Sequence, residues 1–318
     1  MPAHDIEDIS IDGHAGFALT SPKGDVRVCV LPALAMLIPS IEHAGTELLG
    51  QRAGVRAYAD RGSTMGIPLL YPWANRIAGL EYAAAGRTTR LDPASPLLRL
   101  DGAGLPIHGL RTAGRGWRVC GRRSDAAGAA IESVLDAAAD PGIMAAFPFP
   151  HQIRVGVELK GAELAIDVAI HAGADAPVPV ALGFHPYLRL PGVPRPEWRV
   201  RLPVVRHASL DARGLPTGAS DVVAPTDGAL GRRTYDDLFT ELAPPRAFTL
   251  AGGGRTLTLT METGFPVAQV FAPADDAVIA FEPMTAPVNA LAQGGPALPI
   301  VAPGGVFRTR FTLAVTGT

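Results

Sequence analysis

The run HQIRVGVELKGAELAIDVAI, residues 151–170, decides the fold. Ile153, Val155, Val157 and Leu159 take every second place, with polar or small residues between them. After Gly161-Ala162 the alternation resumes at Leu164, Ile166, Val168 and Ile170. Successive side chains on a strand point to opposite faces, so this pattern predicts two strands that share one buried face. The Gly-Ala break predicts a tight turn joining them into an antiparallel hairpin. A second hairpin is predicted over 246–261, RAFTLAGGGRTLTLTM, with its glycines at the turn. Further strands are expected at 26–31, 196–202, 267–272, 277–282 and 306–315, and helical periodicity is nearly absent.

The punctuation agrees with this reading. With 36 glycines and 30 prolines in 318 residues, turns can separate almost every element. That favours an all-β antiparallel sandwich over alternating α/β layers. No internal repeat, charge block or low-complexity linker divides the chain, so one β domain over residues 1–318 is expected. The Pro/Gly-rich stretch 211–231 reads as a long loop within it. The run AGGG at 251–254 lacks GxGxxG spacing and a following helix, so it reads as a turn and not a phosphate cradle.

Composition narrows the partners. A formal net charge of -2 gives no field for nucleic acid or an anionic membrane. The most hydrophobic stretch, 28–41, is too short to span a bilayer and holds two prolines. The opening MPAHDIEDISIDGH is acidic and lacks an apolar core, so it does not read as a secretory signal, and a cytoplasmic location is expected. Cys29 and Cys120 lie far apart in no ligand-like spacing and are expected to be buried free thiols.

Four polar sites interrupt apolar or turn-rich segments. Asn75-Arg76 follows the aromatic, proline-rich GIPLLYPWA; His108 stands in LPIHGL, read as a turn. His185 breaks the strand-like ALGFHPYLRL just before Pro186, which cannot donate to a ladder. Glu282 ends the apolar run AVIAF ahead of Pro283. A carboxylate there is expected to be at least partly buried, which suits a base held at a cleft rim on a rigid strand. Histidine is the side chain most readily poised to move protons near neutrality. His108 and His185 have no HxH, HxxxH or HxxE partner nearby, so no metal site is expected. His151 and His171 bracket the first hairpin and read as structural or surface residues. No serine lies in a nucleophile elbow.

From about Pro68 to the last strand, the chain resembles the aldose 1-epimerases, or galactose mutarotases. PLLYPWANRIAG looks like the family's Asn-Arg-Ile segment, LPIHGL its His-Gly motif and GFHPYLRL its His-x-Tyr strand. LDARGLPTG is similar to its Pro-Thr-Gly loop, followed by TYDDLF, then AQVFAP and FEPMTAPVNAL as the glutamine and glutamate segments. The resemblance implies a galactose mutarotase-like supersandwich that interconverts the α and β anomers of a sugar without a cofactor. It implies Glu282 as base and His185 as acid, with Asn75, Arg76, His108, Asp236 and Gln269 holding the sugar. Tyr235-Asp236-Asp237 departs from the family's Asp-His-Asn-Phe run, which leaves Asp236 and Asp237 as alternatives and galactose itself open.

Two other readings stand beside it. IHGLRTAGRGW also resembles the hexose-6-phosphate epimerases, with Arg111 or Arg115 to pair with a phosphate, although Asn75-Arg76-Ile77 fits the neutral-sugar branch better. A non-catalytic carbohydrate-binding protein of the same fold is the other, and retention of both Glu282 and His185 argues against it. Trp73, Trp117 and Phe184 are candidates either for stacking on a sugar or for the core. Monomer and homodimer are both compatible with the sequence.

Overall fold

The computed structural model describes residues 3–317, and about half of the chain is strand. The predicted hairpin is present as His151–Lys160 and Glu163–Ala172, with every second residue of the first strand buried. The second forms from Ala247–Gly252 and Arg255–Thr263. Its turn residues Gly253 and Gly254 have φ of +57° and +79°. A two-residue turn of this hand needs both positions left-handed, which glycine alone adopts without strain.

These hairpins lie in a nine-stranded antiparallel sheet. An eight-stranded sheet faces it, built around Val204–Leu210, Tyr235–Leu242, Val267–Ala272 and Ile279–Met284. A five-stranded sheet from the N-terminal region, Asp5–Ile11 to Thr46–Glu47, packs beside them. Aromatic side chains join the two large sheets. Phe281 stacks on Phe248 at 5.2 Å and Phe184 meets Phe311 at 5.1 Å, all four buried. Full burial of each such ring is worth about 1.5–3 kcal/mol. Phe184 and Phe281 point inward, so the next residue on each strand, His185 and Glu282, points out of the opposite face. Core packing therefore aims the site.

Several expectations need correction. The stretch 211–231 is not one loop, since it holds the strands Pro216–Val222 and Thr226–Ala229. Each lies at the outer edge of a large sheet and carries no buried face, so no apolar alternation marks it. The strand expected at 277–282 runs from Ile279 through Pro283 to Met284, which makes Glu282 a mid-strand residue, and that expected at 196–202 begins at Arg199. His108 lies not in a simple turn but in the short strand Pro106–Leu110, where the register shifts. Cys29 is buried as expected but Cys120 is exposed, on a strand at the margin of the nine-stranded sheet. Trp73, Trp117 and Phe184 are all buried among core residues. Among the described residues no helix is long and apolar enough to cross a membrane.

Candidate active site

Register brings the chemistry together. Gly183 pairs with Met284 and Tyr187 with Ala280, on either side of the break at His185-Pro186. His185 therefore stands opposite Glu282, and Gln269 pairs with Glu282 from the other side. One row across three neighbouring segments carries Gln269, Glu282 and His185. The backbone around the break is held by the segment before Leu69: the His185 amide donates to the Pro68 carbonyl at 3.2 Å, and that of Tyr187 to Gly66 at 2.8 Å.

His185 Nε2 lies 3.1 Å from Glu282 Oε1, and both side chains are almost wholly buried, at 5% and 2% exposure. The Tyr187 ring stacks on His185 at 4.2 Å with 19° between planes. Tyr187 is fixed in turn by a 2.6 Å bond between its hydroxyl and Thr64 Oγ1 and by the Arg52 guanidinium 4.7 Å from its ring. The His108 ring meets His185 edge-on at 5.6 Å.

On the Glu282 side, Gln269 Nε2 donates to Asp236 Oδ1 at 2.7 Å. Asp237, the next residue, points the other way and pairs with His207 at 2.9 Å. Arg76 is held by Asp101, with Nε donating at 2.6 Å, and its Nη1 donates to Asn75 Oδ1 at 3.1 Å. Asn75, expected to hold sugar, is buried and braces Arg76, while its carbonyl accepts from the His108 amide at 2.8 Å. Arg76, Asp101, Asp211, Arg213 and Asp236 line an open hollow of about 370 Å³. A separate hollow of about 540 Å³ on the nine-stranded sheet contains none of these residues.

Burial dominates the electrostatics. It pushes Glu282 well above the usual carboxylate range, reinforced by Asp236 and opposed by Arg76. It pushes His185 down to about 3, with Arg52 and Arg99 adding in the same direction against a backbone hydrogen bond. Burial thus disfavours charge on both members of the pair, which favours a neutral carboxyl and imidazole in contact. Four further observations point to a polar ligand. His108 Nδ1, His185 Nδ1, Gln269 Oε1 and Glu282 Oε2 are buried and have no hydrogen-bond partner among the described residues. Buried polar atoms are normally satisfied, and a cluster of orphans at one place marks where hydroxyl groups fit.

The sequence reading placed Glu282, His185, Gln269, His108, Arg76 and Asp236 near one another, and the structure brings them to one region. It did not find Thr64, Arg52 or Asp101, which lie in connections with no pattern of their own.

Two histidines outside the coupled pair make a stability prediction. Burial holds His108 well below its usual range and His151, bonded to the Tyr71 hydroxyl, at about 4. The unfolded chain binds these protons near pH 6.5 while the folded chain refuses them, so stability falls as pH drops from about 6.5 toward 4. Urea midpoints measured across that range are expected to decline; a His151→Gln variant should show a shallower decline.

The family model for aldose 1-epimerase matches residues 36–314. Among curated proteins, none gives a significant sequence match. Solved structures share the fold over nearly the whole chain. A galactose mutarotase-like protein from Clostridium acetobutylicum is 17% identical, with 99% of each chain covered and a TM-score of 0.82. A protein from Synechocystis sp. PCC 6803 is 21% identical over 98% of this chain and 100% of its own, at 0.77. The galactose 1-epimerase from Lactobacillus acidophilus NCFM is 15% identical over 99% of this chain and 98% of its own, at 0.76. With a match over most of its length and this architecture, the chain belongs to the aldose 1-epimerase family.

Proposed function

We propose that the protein interconverts the α and β anomers of an aldose by acid–base ring opening and closure. The observation that carries this reading is the buried contact between His185 and Glu282. Opening the ring requires a proton to leave the anomeric hydroxyl and another to reach the ring oxygen, atoms one bond either side of C1. Glu282 takes the first and His185 gives the second. The C1–O5 bond breaks as the C1 carbonyl forms, the aldehyde rotates about C1–C2, and the same two transfers in reverse close the other anomer. An acid–base pair of this kind contributes roughly 10²–10⁴-fold.

In this reading the resting pair keeps its proton on the carboxyl, whereas ring opening needs a carboxylate and an imidazolium. The two forms differ only by one proton across a 3.1 Å contact, so no proton need come from solvent. A sugar that inserts its C1 end replaces the direct contact with two hydrogen bonds, and its hydroxyls offer partners to the four orphaned atoms. Desolvation then weighs less against the charged form. After ring opening the pair is again neutral, the form favoured in the buried site.

A pH prediction follows from the pair's proton count. Activity is lost in acid only when the pair gains a second proton, and His185 resists it down to about 3. The profile of kcat/KM, corrected for spontaneous mutarotation, is therefore expected to stay level through pH 6.5 and to fall only well below 5, the pair titrating as a unit. A limb centred on 6.5, as an exposed histidine would give, contradicts it.

The reading is tested by adding enzyme to fresh α-glucose and α-galactose and following anomer exchange by proton NMR. No acceleration over the spontaneous rate with these or with charged aldoses overturns it and leaves a carbohydrate-binding role. Of the arginines that the sequence offered for a phosphate, Arg115 is paired with Asp140 at 2.8 and 2.7 Å and Arg111 donates to the carbonyls of Pro96, Ala59 and Asp60; glucose 6-phosphate is therefore included in the same assay.

A further inference from the structure

Residues 48–52 are fastened to the backbone of the residue that stacks on His185. The Gly50 amide donates to the Tyr187 carbonyl at 2.7 Å, Leu49 bridges Leu188, and the Arg189 amide donates to the Leu48 carbonyl at 2.9 Å. Gly50 has no room to be larger, since a Cβ there would lie 3.2 Å from Tyr187 Cβ and 2.7 Å from Val278 Cγ1. Two residues on, Arg52 has a φ of +44°, in the left-handed region that a residue with a side chain rarely takes. This path sets the Arg52 guanidinium 4.7 Å from the centre of the Tyr187 ring, which itself lies 4.2 Å from the His185 imidazole. Asp276 holds the guanidinium at 2.9 Å, from the connection between the strands that carry Gln269 and Glu282. One buried ring thus touches both His185 and a permanent cation.

That arrangement bears on how many protons the pair can hold. Titratable and charged groups reach His185 from every element packed against it. Glu282 comes within 3.1 Å and His108 meets the ring edge-on at 5.6 Å, while Phe271, on the Gln269 strand, presents an uncharged edge at 5.5 Å. Burial disfavours charge on Glu282 and His108 alike. Among the described residues, Arg52 and Arg99 are then the standing charges near the imidazole, and both oppose a proton on it. Of the two, only Arg52 lies over the ring on which His185 stacks. An aromatic face that already serves a guanidinium has less to offer an imidazolium. We propose that Arg52 is a positioning residue for His185: acting through the Tyr187 ring, it withholds a second proton from the His185–Glu282 pair, while Asp276 orients its charge and partly offsets it. This rests on the ring-opening reading, in which a doubly protonated pair has no base for the anomeric hydroxyl.

The test breaks the same ion pair from either end. Arg52→Met removes the cation and leaves the carboxylate; Asp276→Asn removes the carboxylate and leaves the cation. The His185 imidazole is followed by NMR of protein labelled with carbon-13 histidine, its signal assigned by its loss in His185→Asn. At about pH 4.5, with folding checked by circular dichroism, Arg52→Met should raise the imidazolium fraction about fivefold or more, the effect of roughly one pH unit. Its acid limb of kcat/KM should move up with it. Arg52→Lys should behave as wild type, and Asp276→Asn should leave both readings at or below the wild-type values. A raised fraction in Asp276→Asn overturns the proposal on its own, since equal effects from the two ends mark a merely structural strap. A wild-type signal in folded Arg52→Met overturns it too. A wild-type chain that exchanges no sugar overturns the ring-opening reading instead, because the imidazole signal still reports on Arg52.

Discussion

Glu282→Gln is expected to lower the anomerisation rate by about 10³-fold or more, toward the upper end of what a positioned proton-transfer group contributes. An amide cannot take the anomeric proton at any useful pH. The fold should hardly notice. Burial already favours a neutral Glu282, which sits 3.1 Å from an imidazole nitrogen to which a glutamine can donate equally well. The melting temperature is expected to stay within about 2 °C of wild type, a shift worth only a kcal/mol or two in a chain this long. His185→Asn should show a loss of similar size, and the double variant should lose little more than either single one, since the two groups act as a unit. Rates are read by polarimetry and folding by circular dichroism. Near-normal turnover in Glu282→Gln would falsify the assignment.

Gly109→Ala is expected to damage both stability and turnover. Gly109 has a φ of +72°, and an added Cβ would lie 2.2 Å from the Tyr71 carbonyl oxygen and 2.4 Å from its carbon. Those are backbone atoms, with no flexible end to swing aside. The left-handed conformation adds strain of its own for a residue with a side chain. Together these should cost about 3 kcal/mol, near 5 °C in melting temperature for a chain of this size. The functional effect follows from location. Gly109 bridges Tyr71, Leu110 donates to the Tyr71 carbonyl at 2.8 Å, and His108 donates to the Asn75 carbonyl at 2.8 Å. A shift there moves His108 and Arg76 together, and misplacement by about 1 Å can cost on the order of 10²-fold in rate. Gly86→Ala is the control, with a φ of +77° but nothing within 4 Å of its Cβ. It should cost about 1 kcal/mol at most from strain and leave turnover unchanged. Equal melting temperatures for the two variants would show that the contact with Tyr71 relaxes freely.

The sequence made the architecture readable where one face of a strand is buried. The alternation in His151–Lys160 and Glu163–Ala172 is the direct imprint of a core face, and both hairpins formed as expected. The edge strands Pro216–Val222 and Thr226–Ala229 touch the core so little that they left no such imprint. The N-terminal pair Asp5–Ile11 and His14–Thr20 went unread, although Asp12-Gly13 between them is a strong hairpin signal. The site divides in the same way. Glu282 and His185 drew notice because each sets a polar group in an apolar run, but no local pattern says that they meet. That depends on a register between segments nearly a hundred residues apart, and it was the ordered motifs of a family that suggested it. The supports of His185 were half legible: Tyr187 was a visible neighbour, whereas Arg52 and Thr64 reach it only through space.

Gln269, Glu282 and His185 share one row of the pleat, whereas Asp101, Asp211 and Arg213 belong to the surrounding connections. The protein thus separates a fixed engine from an exchangeable mouth. On the proposed reading, insertions and substitutions around the rim can recruit new sugars while the pleat keeps Glu282 and His185 aligned. A lineage, or an engineer, can change what this scaffold accepts without having to reinvent what it does.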